Sequence, residues 1–211
     1  ITKLKDSELV ALATSGNISE GCISPVNAIG ISFDGHSALV AAGSSELTLL
    51  KLEGSEMSST RGPVVSGSVG RLSNAEVYGG VDVYFAATSS ADAGFVVAAT
   101  VESVTSVVQL NTTGTYDVQP RVDDYSSLVA TRQGGLVFLS FVGGQLVVEE
   151  YAADGSVGND GLALSEGRAF VAAQADGLVV FDLTTGLPAG GAPVEGWSGG
   201  VGLGGGMALV A

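Results

Sequence analysis

Acidic side chains are the residues of this 211-residue chain with the greatest potential for chemistry. Four of them, Asp34, Glu76, Asp117 and Asp123, lie in or next to short segments that predict β-strands. Two carboxylates that flank a sugar ring can act as general acid and nucleophile in glycoside hydrolysis. One hypothesis is therefore a glycosidase that collects its acids from separate elements, although acids are also common at the ends of strands in proteins that catalyse nothing.

Other catalytic or metal chemistry lacks the residues that it needs. His36 is the only histidine and lies in a Phe-Asp-Gly-His turn, so a catalytic triad has no second candidate base. Cys22 is the only cysteine, which excludes an internal disulfide and a zinc site made of several Cys and His ligands. The acidic turn 154–160 lacks the alternating ligands of an EF-hand. We expect no catalytic residues, no metal and no cofactor.

The charge and composition of the chain restrict its partners. It carries 22 acids against 8 bases, a net charge of −14, and its basic residues form no cluster that could replace phosphate counterions. The longest uncharged runs, 133–148 and 196–211, are rich in glycine and shorter than the roughly 20 apolar residues of a membrane span. We therefore expect no nucleic-acid partner and no direct membrane insertion.

Two sequons for N-linked glycosylation occur, Asn17-Ile-Ser and Asn111-Thr-Thr. Both fall at or beyond the ends of predicted strands, where a glycan would reach solvent. If they are used, the chain is an extracellular or luminal glycoprotein. Sequons also arise by chance in chains rich in Ser and Thr, so an unmodified asparagine is the competing interpretation.

A short apolar motif of the form Leu/Phe-Val/Ala-Ala recurs along the chain. Its copies begin at Leu39, Phe85, Leu128, Phe170 and Leu209, with spacings of 46, 43, 42 and 39 residues. This is the repeat length of β-propeller blades, small sheets that bury both faces by stacking on their neighbours.

The surroundings of the motif repeat as well. A Gly-containing turn and a second apolar run usually follow it, as in Leu136–Phe141, and a weaker strand lies on either side of this hairpin. The pattern predicts an all-β fold made of four-stranded antiparallel blades. Prolines are placed in the outer strands of these blades. The predicted blades cover about 27–69, 75–113, 116–154 and 161–197.

Each end of the chain has the sequence pattern of half a blade. Residues 200–211 read as the first two strands and residues 1–15 as the last two, so together they complete a fifth blade. We expect a single five-bladed β-propeller in which residues 1–5 pair in antiparallel fashion with 207–211. The alternative is a fragment of a six- or seven-bladed propeller, whose half-blades would face missing blades.

One blade carries a family resemblance. The segment 168–186 reads Arg-Ala-Phe-Val-Ala-Ala-Gln-Ala-Asp-Gly-Leu-Val-Val-Phe-Asp-Leu-Thr-Thr-Gly. It resembles a blade of the YVTN/LVIVD and quinoprotein-like propeller families, in which an aromatic-Val-Ala strand, an Asp-Gly turn and a Leu-x-Val strand recur. The resemblance implies the propeller fold and transfers no active site, because propellers support many unrelated functions.

These observations favour a non-enzymatic binding or scaffolding propeller that is a subunit of a larger extracellular or luminal assembly, with a protein partner. A lectin-like propeller that binds a glycan is one alternative. A five-bladed glycosidase that uses channel carboxylates is the other, weakened because sugar sites usually add aromatic platforms and Trp197 is the only tryptophan.

Overall fold

The computed structural model describes residues 28–32, 35–41, 45–53, 56–65, 67–90, 92–110, 114–121, 126–153, 161–165, 167–196 and 198–211. Within these ranges the secondary structure consists of β-strands in separate antiparallel sheets, and no helix is present. Consecutive strands pair with each other in chain order, so most sheets are simple meanders. This confirms the all-β class and the four-stranded antiparallel sheets of a propeller-like fold.

Three sheets have four strands each. The first contains β1 (Ala28–Ile31), β2 (Ser37–Ala41), β3 (Glu46–Glu53) and β4 (Glu56–Val64). The third contains β10 (Thr115–Pro120), β11 (Ser127–Arg132), β12 (Gly135–Val142) and β13 (Gln145–Ala153). The fourth contains β14 (Gly161–Ser165), β15 (Arg168–Ala172), β16 (Leu178–Asp182) and β17 (Pro188–Ala192). A fifth, two-stranded sheet is formed by β18 (Val201–Gly204) and β19 (Met207–Val210).

The second sheet begins with a broken strand. It contains β5 (Ser68–Leu72), β6 (Glu76–Tyr78), β7 (Val81–Ser89), β8 (Gly94–Ala99) and β9 (Val104–Leu110), and both β5 and β6 pair with β7. Ser73 lies in the break, where its backbone N–H donates to the Phe85 carbonyl (2.8 Å) and its Oγ accepts from the Phe85 N–H (3.0 Å). The sheet therefore starts at Ser68, ahead of the predicted start at residue 75.

Two other strand predictions were wrong in detail. In the fourth blade the sequence predicts an outer strand at 192–195, but the observed strand is β17, which ends at Ala192. The prediction missed most of this strand because the glycine-rich β17 carries little of the apolar signal that marks a strand. Pro120 ends the inner strand β10, whereas prolines were predicted in outer strands. An inner strand is also an edge of its own sheet, so a missing N–H there is tolerated.

Apolar clusters fill the spaces between consecutive sheets. Tyr84 and Phe85 are adjacent in β7 and both are completely buried. Tyr84 packs with residues of the first sheet such as Leu39, whereas Phe85 packs with residues of the third sheet such as Leu128. A third cluster joins the third and fourth sheets around Phe181. The central strands of the second and third sheets are thus covered on both faces by neighbouring sheets, which accounts for their nearly continuous apolar runs.

The first and last sheets each leave an apolar surface. Ile29 and Ile31 on β1 are 51% and 45% exposed, and Met207 and Leu209 on β19 are 65% and 70% exposed. The C-terminal half of the predicted fifth blade forms the β18–β19 hairpin. Its predicted N-terminal half, residues 1–15, lies outside the described residues.

Candidate functional site

Several residues that the sequence singled out, whether as candidate sites or as residues without a role, lie outside the part of the chain that the structure describes. These are the two sequon asparagines, two of the four acids, the cysteine and the tryptophan: Asn17, Asn111, Asp34, Asp123, Cys22 and Trp197. His36 is described and exposed, in the turn before β2, where its carbonyl accepts a hydrogen bond from the Leu52 N–H (2.8 Å). Of the candidate acids, Glu76 and Asp117 can be placed.

Asp117 is buried at the junction of the third and fourth sheets. Its Oδ1 accepts from the Val118 N–H (2.8 Å) and Gln119 Nε2 (3.2 Å), and its Oδ2 accepts from the Leu162 N–H (3.0 Å) on β14. Burial raises the pKa of Asp117 to about 6, against the opposing effects of the Leu162 N–H and the charge of Arg71. Both carboxylate oxygens accept hydrogen bonds from groups of the protein, and the bond from the Leu162 N–H links the third sheet to the fourth.

Glu76 has a different setting. It pairs with Val83 across the β6–β7 hairpin, and Tyr78 pairs with Val81. Directly opposed residues of antiparallel strands share a face, so these four side chains lie on one face, the face that packs toward the third sheet. Partial burial raises the pKa of Glu76 above its ordinary value. Glu76 is thus a carboxylate next to apolar side chains.

A cavity of about 480 Å³ lies on the same side of the β6–β7 hairpin as Glu76. Three hairpin turns meet around it, the β6–β7, β8–β9 and β12–β13 turns. We call it the Tyr78 cavity. Its lining is almost entirely apolar or glycine: Tyr78, Gly79, Val81, Val83, Thr100, Thr105, Phe141, Gly143 and Gly144. Its volume is in the range of small-molecule and side-chain pockets.

Three aromatic rings make the inner part of the Tyr78 cavity rigid. Tyr78, Phe85 and Phe141 contact one another edge to face. The ring centroids are 6.0 Å apart for Tyr78 and Phe85, 4.9 Å for Tyr78 and Phe141, and 5.3 Å for Phe85 and Phe141. Phe85 is completely buried and Phe141 is 5% exposed, whereas Val81 at the opening is 50% exposed. Aromatic pairs of this geometry are stabilising beyond the area that they bury. The cavity is therefore preformed, with a fixed floor and an accessible opening.

The charged residues in the turns around the Tyr78 cavity are all acidic, and the β12–β13 turn carries no charge. The segments 76–83, 100–105 and 141–146 contain three acids, Glu76, Asp82 and Glu102, and no lysine or arginine. Asp82 lies opposite Val77 on the other face of the β6–β7 hairpin. An apolar cavity with an acidic surround favours ligands that combine an apolar group with a positive charge.

A smaller cavity of about 220 Å³ lies between the third and fourth sheets. Its lining mixes apolar and charged groups, among them Leu183, Arg121, Glu149 and Glu150. Glu149 Oε1 accepts a hydrogen bond from Ser140 Oγ (2.5 Å) on β12. This cavity has neither the apolar lining nor the aromatic floor of the Tyr78 cavity.

Within the described ranges, no three His, Cys, Asp or Glu side chains come together in a way that could hold a metal ion. In the same ranges no helix is long and apolar enough to cross a membrane.

The residues that form the Tyr78 cavity were not predicted from the sequence. A usable signal was present, because two of the three hairpin turns around the cavity are Gly-Gly pairs preceded by an aromatic residue: Tyr78-Gly-Gly and Phe141-Val-Gly-Gly. All four of these glycines have positive φ angles, from 60° to 85°, which the tight turns require. An aromatic side chain next to such a turn lies at the end of its sheet, where stacked blades can leave a cleft.

Comparison with known proteins identifies a fold and no family. No protein-family model and no curated protein matches the chain. Among solved structures, apo AztD from Citrobacter koseri is similar, with a TM-score of 0.58 and 14% sequence identity. The match covers 83% of this chain and 48% of AztD, so the chain spans about half the length of that protein. What the two share is an all-β, propeller-like architecture.

Proposed function

We propose that the chain is a non-enzymatic binding module that holds a partner protein in the Tyr78 cavity. The observation that carries this proposal is the cavity itself, which is apolar, about 480 Å³ in volume and built on a rigid aromatic floor. Binding energy at protein interfaces concentrates where a few side chains fill well-packed apolar pockets. A partner side chain that enters the cavity would bury its surface against Tyr78, Phe141 and the valines.

The placement of the acids supports binding over glycoside hydrolysis. Hydrolysis by either stereochemical route requires two carboxyl groups that flank the scissile bond. Glu76 lies opposite Val83, which lines the Tyr78 cavity, whereas both oxygens of Asp117 accept hydrogen bonds from donors of the fold. Asp117 is thus engaged in the fold and does not form a catalytic pair with Glu76, and the other two candidate acids, Asp34 and Asp123, lie outside the described residues. The adjacency of Tyr78 and Glu76 favours a lectin-like function as the second candidate, which a glycan array would detect.

We place the module in an extracellular or luminal assembly, as a subunit whose partner is another protein. The sequons at Asn17 and Asn111 support this compartment, and the low charged fraction of 14% fits a surface that other subunits partly cover.

We further propose that the sheets close into a five-bladed ring, with residues 1–15 completing the β18–β19 sheet. The exposed apolar faces at the two ends of the array support closure. Ile29 and Ile31 on β1 face away from the second sheet, and Met207 and Leu209 present an apolar face on β19. Ring closure would bury both faces and remove an open sheet edge. A fragment of a six- or seven-bladed propeller remains the alternative.

Ring closure predicts a specific disulfide. If residues 1–5 pair in antiparallel fashion with 207–211, position 3 lies opposite position 209. The variant Lys3→Cys/Leu209→Cys, made with Cys22→Ala, should oxidise to an intramolecular crosslink in the folded protein. The pair Lys3→Cys/Leu203→Cys is the control, because β19 separates the two positions by more than the roughly 7 Å that a disulfide can span. Absence of the first crosslink, measured by intact mass, would support the fragment.

The binding proposal predicts that filling the Tyr78 cavity abolishes partner binding. Val81 and Val77 belong to the same hairpin and are similarly exposed, at 50% and 47%, but they lie on opposite faces. Peptides selected from a random display library on the folded full-length chain should lose at least tenfold in affinity for Val81→Trp. They should bind Val77→Trp as they bind the unmodified protein. Selected peptides that bind both variants equally, measured by calorimetry, would refute the proposed site.

A further inference from the structure

We propose that the Tyr78 cavity is specific for a basic protein segment, in which an apolar side chain enters the cavity and an adjacent Lys or Arg pairs with Glu76. This inference rests on the proposed binding function and adds the chemistry of the partner. It assigns Glu76 the role of a specificity-determining residue.

The register of the β6–β7 hairpin fixes where the carboxylate lies. Glu76 is opposite Val83, which is 4% exposed and lines the deep part of the cavity. Tyr78 and Val81 follow on the same face toward the turn, and Val81 forms the accessible side. A side chain that enters past Val81 would bring its flanking residues over this face. A neighbouring cation can then reach Glu76 while the apolar group contacts Tyr78 and Phe141.

The charge around the cavity makes the partner basic. Glu76 and Glu102 lie in the segments that form the β6–β7 and β8–β9 turns, and the whole chain carries a net charge of −14. Complementary potentials speed association and reject partners of like charge. Glu76 is also partly desolvated, and a carboxylate that has already lost part of its hydration gains more from a cation than one in bulk water. An acidic partner segment would be repelled by Glu76 and Glu102.

The cavity should bind a segment that combines Arg or Lys with an apolar residue more tightly than a segment that has only one of the two. A purely apolar segment leaves Glu76 partly buried without a partner, which costs free energy. A purely basic segment leaves the 480 Å³ cavity unfilled. Specificity therefore requires both features of the segment, an apolar side chain that fills the cavity and a cation that pairs with Glu76.

The test uses three synthetic peptides and the folded full-length protein. The probes are acetyl-Gly-Ser-Lys-Phe-Arg-Ser-Gly-amide, its twin with Glu at both basic positions, and its twin with Ser in place of Phe. Calorimetry or a fluorescence titration should show that the first peptide binds at least tenfold more tightly than either twin. Glu76→Gln should weaken the first peptide about tenfold, the effect of losing roughly 1.4 kcal/mol. Glu149→Gln, a charge removed at the smaller cavity, should change nothing.

The outcomes separate this inference from the function on which it rests. Equal binding of the basic and acidic peptides, or an unchanged affinity in Glu76→Gln, overturns the basic-segment inference. If Val81→Trp still abolishes binding in that case, the cavity remains the binding site. Binding that is insensitive to Val81→Trp, or no binding of any probe at millimolar concentration, overturns both.

Discussion

Replacing Phe85 with alanine is expected to lower the free energy of unfolding by about 3–5 kcal/mol, the range for deleting a buried phenylalanine side chain. Phe85 is completely buried and belongs to the largest apolar cluster, between the second and third sheets. Its ring also contacts Tyr78 and Phe141 edge to face, so alanine would remove two aromatic contacts and leave a void. Few single substitutions outside the core have an effect of this size.

Equilibrium denaturation in urea would measure this effect, with Val107→Ala as the control. Val107 lies on β9 in the same sheet but is 43% exposed, so its truncation should cost less than about 1 kcal/mol. The Phe85→Ala variant should also lose affinity for the selected peptides, because the floor of the Tyr78 cavity rests on this ring. A stability loss no larger than that of Val107→Ala would contradict the proposed packing between the second and third sheets.

The stability of the chain is expected to fall by about 3 kcal/mol between pH 4 and pH 6 because of Asp117, at 1.36 kcal/mol per pKa unit. Burial raises the pKa of Asp117 from 3.8 to about 6 in the folded state. Between these two values the folded protein binds a proton that the unfolded chain has released. The free energy of unfolding therefore decreases as pH rises through this window, and the contribution is constant above the folded pKa.

The substitution Asp117→Asn isolates this contribution. Asparagine keeps the shape and an acceptor oxygen but does not titrate, so the variant should lack the decrease between pH 4 and pH 6. The difference between the two pH profiles, rather than either alone, measures Asp117, because Glu76 also has a raised pKa and acts in the same direction. Parallel profiles for the two proteins, measured by urea unfolding at several pH values, would contradict the buried position of this carboxylate.

The repeat of apolar motifs was sufficient to predict the sheets. Motifs that begin at Leu39, Phe85, Leu128 and Phe170 all lie in the second strand across their sheet, which in the second sheet is β7. The apolar runs that follow these motifs form the third strand across each sheet. The pattern works because these strands are buried on both faces, and burial constrains residue type strongly. The outer strands were located less well, since exposed strands such as β17 accept glycine and proline.

The candidate site was not predictable in the same way. Glu76 and Asp117 look alike in the sequence, as acids in weak inner strands. Their surroundings differ because Asp117 accepts a hydrogen bond from the Leu162 N–H of another sheet, whereas Glu76 lies opposite Val83, which lines the cavity between the hairpin turns. The break at Ser73 also depends on hydrogen bonds to Phe85, which is distant in sequence. Contacts of this kind arise from tertiary packing and leave no local pattern.

The Tyr78 cavity shares aromatic residues with the apolar core between the second and third sheets. Phe85 and Phe141 contribute to the packing that holds the sheets together, and Tyr78 extends the same aromatic group to the surface. A binding site built on such packing is held at nearly fixed geometry before the ligand arrives, which limits the entropy lost on binding. We therefore expect partner binding to raise the thermal stability of the chain without changing its sheets.

A methyl-detected NMR titration of the folded protein with a selected peptide tests whether the Tyr78 cavity is the binding site. If it is, the methyl signals of Val81 and Val83 shift as the peptide is added, and those of Val77, on the opposite face of the hairpin, do not. Shifts confined to Leu139 and Leu183 at the smaller cavity would contradict it, as would saturable binding that leaves Val81 and Val83 unchanged.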